Sequence, residues 1–348
     1  MNLLLLASHD PESHVLPHRF TEKLFSVPAD WDLVIFKIPT TDFYFTNHHL
    51  MTLVAAAIML VLFPVLSRRY AAMASRAPED RVPRGFGNLI EAVMQFIRND
   101  VARPVLGDKT DRFMPFLWTM FFFIWICNLL GLVPLDSIVS LASHKKLEHV
   151  GGTATGNIMI TAGLAVCSFV MIHYSGTKQV AIELMAGIYG HHGGGESHEG
   201  GSAGHHAGGT SPAAAILQAP FLYVWNFAPH VFAPEKTDGV GALFLWVADI
   251  GMWALLLALE CIGAVIKPFA LAIRLFANMI AGHIVLASIL ALIFTFTGSV
   301  AGNWAISAIS TLGCAALSLL ELFVACLQAY IFVFLTTLFI GASIAPEH

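Results

Sequence analysis

The chain has 348 residues, 57% of them hydrophobic and 12% charged, with a formal net charge of −5. Together with a mean hydropathy of +0.72, this is the composition of an integral membrane protein and excludes an ordinary soluble domain. Nothing in it resembles a nucleic-acid-binding surface. The five cysteines, Cys127, Cys167, Cys261, Cys314 and Cys326, lie in apolar stretches without CxxC spacing, which fits small core fillers rather than disulfides or metal ligands.

The N-terminal MNLLLLASHDPESH has a four-leucine run but no basic leader, short of a secretory signal, and it lacks the arginines of an organellar presequence. Residues 1–46 are therefore expected to form a polar arm on the outer side, entered without cleavage. Apolar runs of about 20 residues mark membrane crossings, and the first is Leu50–Leu66. Arg68, Arg69, Arg76, Arg81 and Arg84 crowd the loop after it, which places that loop inside and the N-terminus outside. Lys145 and Lys146 fall on the outer side in this scheme, so the charge rule is obeyed only on balance.

Between the first two spans, Phe86, Leu89, Ile90, Val93, Ile97, Val101 and Val105 form a helical stripe opposite Glu91, Gln95, Arg98 and Asn99. The pattern predicts an amphipathic helix over Phe86–Leu106, at the inner interface or against a partner. The second span is Phe113–Pro134 and the third Asn157–His173, so residues 47–186 hold three membrane helices and the amphipathic one. Residues 187–240 are an insertion and loop, opened by HHGGGESHEGGSAGHHAGG. Its histidines, His191, His192, His198, His205 and His206, are weak metal candidates, because glycine gives no preorganisation and no carboxylate pattern supports them. A flexible linker is the favoured reading.

Residues 241–348 hold two overlong apolar segments, Gly241–Thr297 and Asn303–Ile344. As a helix the first would extend about 85 Å against a hydrocarbon core of about 30 Å. It must tilt strongly, break, or lie partly along the membrane, and Pro268 and nearby glycines offer break points. Five crossings put the C-terminus inside. The expected fold is an all-α integral membrane protein with about five membrane-crossing helices, the last two long and strongly tilted, plus one amphipathic interfacial helix.

These two segments carry the chemistry. An isolated charge at bilayer depth costs roughly 2.5–3.5 kcal/mol on insertion scales, and such groups mark ion paths, proton relays or voltage sensors. Glu260, Lys267 and Arg274 recur every seventh residue, with Asn278 four beyond Arg274; His283, nine beyond, projects from about the opposite side. In the last segment Glu321 and Gln328 share a face. Taking the turn near Val300, an antiparallel pairing sets His283 level with Glu321 and Arg274 level with Gln328. Titratable groups then approach a permanent cation from either side, with no continuous relay across it. Such a chain needs a mobile partner to carry the ion between two half-paths, and a facing arginine favours the ionised form of that partner's carboxylate.

At these residues the chain resembles the a subunit (subunit 6) of rotary F-type ATP synthases. KPFALAIRLFANMIAGH (Lys267–His283) and LQAYIFVFLT (Leu327–Thr336) resemble its two signatures, and NLIEAVMQFIRNDVA, CNLLGLVPLD and TGNIMITAGLAV extend a weaker similarity into the first half. The resemblance implies that Arg274 is the arginine between two aqueous half-channels, facing a ring of c subunits, with Asn278 and Gln328 beside it. It implies that His283 and Glu321 are the paired groups of the outer half-channel, in the His-then-Glu order of mitochondrial relatives. Glu260 matches an acidic position near the inner half-channel, and Lys267 a less certain one at a helix break. The implied partners are the c-subunit ring, peripheral-stalk b subunits, other ATP synthase subunits and the lipid bilayer. The chain itself is expected to be non-catalytic and to hold no cofactor, and it has no GxxxxGK[ST] nucleotide loop. The expected location is a bacterial plasma membrane, with the mitochondrial inner membrane as alternative. Two other classes compete. A self-contained channel or transporter would be expected to show internal inverted repeats, and none is visible. A haem protein needs histidines inside several spans, and only His173 and His283 lie well inside.

Overall fold

A computed structural model describes residues 25–27, 32–33, 36–37, 41–43, 45–74, 85–133, 153–186, 211–225, 240–295 and 300–344. Among these residues, five helical runs are long and apolar enough to cross a membrane: Asn47–Ala72, Phe86–Leu132, Ile158–Ala186, Ile250–Ala291 and Gly302–Ile344. The membrane part is thus all-α, as its composition requires, since a chain in hydrocarbon must satisfy its own backbone. The N-terminal arm adds strand pairing that the sequence did not announce. Strand β1 (Phe25–Val27) pairs antiparallel with β4 (Thr41–Phe43), and β2 (Asp32–Leu33) pairs with β3 (Phe36–Lys37), one ladder nested inside the other.

Helix α1 (Asn47–Ala74) opens on a capping arrangement. The Thr46 N–H donates to His49 Nδ1 at 3.3 Å, and the Thr46 hydroxyl lies 2.7 Å from the same nitrogen. This is the return half of a capping box, with His in the place of the usual Glu or Gln. The amphipathic segment forms α2 (Phe86–Phe96), which passes through a π-helical turn (Ile97–Ala102), the short α3 (Arg103–Leu106) and a 3₁₀ turn (Gly107–Lys109) into α4 (Thr110–Leu132). Its apolar stripe divides: Ile90, Ile97 and Val101 are buried, whereas Phe86 and Leu89 stay exposed. Trp118 on α4 donates to the Met94 carbonyl at 3.1 Å.

Helix α5 (Ile158–Ala186) runs well past the expected His173. A further helix, α6 (Pro212–Trp225), occupies part of what the sequence suggested was loop. Helices α7 (Val240–Thr295) and α8 (Val300–Ile344) are the two long segments. The break considered at Pro268 is absent, since α7 is continuous through it. A proline inside a helix removes one donor and crowds the carbonyl four residues earlier.

The chain divides into two compact units whose limits fall inside α5, α7 and α8: residues 1–103, 108–164 and 271–333 in one, and 104–107, 165–270 and 334–348 in the other. In the first, Met51 and Ala55 of α1 pack with Cys127 of α4 and with Ala154. A buried polar chain ties this core to α8: Thr155 donates to Asn128 Oδ1 at 2.9 Å, and Asn128 donates to the Ala325 carbonyl at 3.2 Å. Beside it Trp125 Nε1 donates to Cys326 Sγ at 2.9 Å. In the second unit, Val180 and Ala181 of α5 pack on Ala219 and Tyr223 of α6.

Candidate functional site

Two glycines set how α7 and α8 pair. A Cβ at Gly282 would run into the Glu321 carboxylate, and one at Gly313 would touch Ile289. Both contacts describe a single antiparallel register, and continuing it sets Arg274 level with Gln328. Lacking a side chain, Gly282 lets a carboxylate lie against the backbone of the facing helix.

That approach closes one side of a cavity of about 220 Å³, lined by Asn278, Met279, Gly282 and His283 of α7, by Glu321 and Val324 of α8, and by Leu132. Three polar side chains therefore reach one shared space. His283 Nε2 and Glu321 Oε2 are buried there without a hydrogen-bond partner among the described residues. A buried polar group left unpaired is destabilising by about 1–3 kcal/mol, and a polar cavity of this size has room for several waters to satisfy both. The chemistry this permits is proton exchange between an imidazole and a carboxyl through water. Asn278, which the helical count set on the Arg274 side, also lines this space. Neither Arg274 nor Gln328 does.

Arg274 lies on the outward face of α7. Leu271, Ala272, Leu275 and Met279 are buried around it, whereas Ile273, Arg274 and Ala277 are exposed. Its guanidinium forms no ion pair among the described residues. On α8, Gln328 is buried, and its Nε2 has no partner among the described residues. Thus a permanent cation faces away from the chain's own core, beside the apolar Ile273 and Ala277.

In the other unit, Lys267 Nζ lies 3.3 Å from Glu260 Oε1, two turns earlier on α7, and 5.4 Å from the centre of the Phe339 ring. A pair of groups that sequence reasoning did not assign to the site also lies in this unit: His173 Nδ1 is 3.1 Å from the Tyr223 hydroxyl. The available signal was a histidine well inside a span, but its partner lay on a helix not foreseen. The histidines His191, His192, His198, His205 and His206 lie outside the described residues. Among the described residues no cluster of three or more metal-ligating side chains occurs.

Ionisable side chains strung along two long antiparallel membrane helices define a class, the multi-pass membrane proteins built around buried charge. Comparison identifies the family within it. The family described as "ATP synthase A chain" matches residues 49–192 and 214–341. An ATP synthase subunit a of Chloroherpeton thalassium is 34% identical over 345 residues, covering 97% of this chain and 79% of that protein. Those of Chlorobium phaeobacteroides and Myxococcus xanthus are 31% and 32% identical, covering 96% and 88% of this chain and 75% of each relative. The chain belongs to the ATP synthase a-subunit family.

Proposed function

We propose that this chain is the stator a subunit of an F-type ATP synthase in a bacterial plasma membrane, non-catalytic itself, and that it forms two proton half-paths against a ring of c subunits. Protons from the outer side enter the cavity at His283 and Glu321 and protonate a carboxylate on a c subunit. The neutral carboxyl then turns through lipid, where a charge would be costly. After nearly a full revolution it meets the inner path near Glu260, releases its proton, and is held ionised by Arg274 before reloading. Asn278 and Gln328 line the approach. Rotation of the ring then drives ATP formation in other subunits, with peripheral-stalk b subunits holding the stator. Sequence similarity is to bacterial relatives, which supports the location.

The observation that carries this reading is Arg274: exposed on the outward face of α7 and without an ion-pair partner among the described residues. A cation in that setting is stabilised by a carboxylate from outside the chain. In vesicles holding the assembled complex, Arg274→Ala is expected to abolish ATP-driven proton pumping and to open a passive leak. Coupled pumping retained by Arg274→Ala would overturn the assignment.

A further inference from the structure

Helix α6 has no part in the mechanism above, yet its last turn places a hydroxyl against an intramembrane histidine. Tyr223 is 8% exposed. Its ring seats on Gly176 of α5, where a Cβ would collide with it and would stand 2.9 Å from the Ser343 carbonyl of α8. The hydroxyl lies 3.1 Å from His173 Nδ1, and the His173 ring packs edge-on against Phe169 with centroids 4.2 Å apart. Ser343 Oγ donates to the Ile172 carbonyl at 3.1 Å, so the pair stands level with the C-terminal end of α8, which is the inner side in the expected topology. The Glu260–Lys267 pair reaches the same end of α8: Lys267 Nζ lies 3.3 Å from Glu260 Oε1 and 5.4 Å from the centre of the Phe339 ring, one turn before Ser343.

We propose that His173 and Tyr223 form a proton relay that continues the inner path from Glu260, and that α6 is present to supply the hydroxyl. An imidazole and a phenol each donate and accept, so the pair can pass a proton without net change. A proton released at Glu260 reaches the imidazole through water and forms imidazolium. The imidazolium gives its Nδ1 proton to the Tyr223 oxygen as the hydroxyl's own proton leaves to inner-side water. One proton has then moved, and the neutral pair resets when the imidazole ring and the hydroxyl reorient, with no proton passing back. The inference rests on the a-subunit reading and deepens its inner half.

The test uses the assembled complex in inside-out vesicles, measuring passive proton conduction and ATP-driven pumping. Tyr223→Phe keeps the ring on Gly176 and removes only the hydroxyl. It is expected to slow both several-fold with the amount of assembled complex in the membrane unchanged, and His173→Phe added to it is expected to slow them no further. Millimolar imidazole on the inner face is expected to restore conduction to Tyr223→Phe, which it cannot do for a packing defect. Wild-type conduction in both Tyr223→Phe and His173→Gln, or a loss that imidazole does not rescue, would overturn the relay. Arg274→Ala in parallel vesicles separates the two readings. If it uncouples while Tyr223→Phe conducts normally, only the relay fails. If it stays coupled, the two-path reading fails with it.

Discussion

Glycine 282 leaves space for one functional group and for nothing else. The Glu321 carboxylate occupies the volume a Cβ would take, so any side chain there displaces the acid from the cavity it shares with His283. Gly282→Val is expected to lower coupled pumping by roughly tenfold or more while the complex still assembles, since overpacking of about 1–3 kcal/mol can be absorbed by moving a side chain at the cavity wall. Glu321→Ala added to Gly282→Val provides the check. If the acid's displacement is the cause, the double variant pumps no worse than Glu321→Ala alone. A further drop in the double variant would instead point to a shift of the helices. Arg274 behaves differently at this scale. It does not line that cavity, and what distinguishes it is a charge beside the apolar Ile273 and Ala277, which substitution removes without disturbing α7.

At the scale of elements, the helices meet through small residues, and substitution there separates assembly from chemistry. On α5, Gly176 is closed in by the Tyr223 ring and by the backbone carbonyl of Ser343, and a backbone carbonyl cannot swing aside as a side chain can. Gly176→Leu is expected to destabilise this unit by about 1–3 kcal/mol, read as lower recovery of assembled complex from solubilised membranes. Gly163, where a Cβ meets nothing within 4 Å, is the control: Gly163→Ala should leave recovery unchanged. The five crossings were legible because each is a long unbroken apolar run. The α7–α8 register was legible because one turn at Val300 lets residues be counted outward on both sides. Helix α6 was not: Pro212–Trp225 is 14 residues long, carries Pro220, and follows a glycine-rich tract, so its apolar character could not distinguish helix from loop. The extension of α5 was hidden by Ser175, Lys178 and Gln179, polar residues that end a hydropathy window without ending a helix. His173 could be placed in a span, but its pairing required the unseen helix.

For the whole molecule, the family match runs through both halves and is interrupted at residues 193–213, which contain most of the Gly/His tract. Replacing His191, His192, His198, His205 and His206 with Ser is expected to change ATP-driven pumping by less than about twofold, as befits a linker. A chelator is expected to have no larger effect on the unmodified complex. Pumping that falls in the Ser variant and is lost on chelation would instead establish a metal requirement. The nested strands of the N-terminal arm were beyond sequence reasoning, because two- and three-residue ladders leave no periodicity to detect. The contact of Trp125 with Cys326 has an optical consequence. A thiol against an indole quenches its emission, so Trp125, one of the seven tryptophans, is expected to be dim while α4 and α8 stay together. It brightens when they part, giving the chain a built-in fluorescent gauge of whether the helix bearing Glu321 is seated.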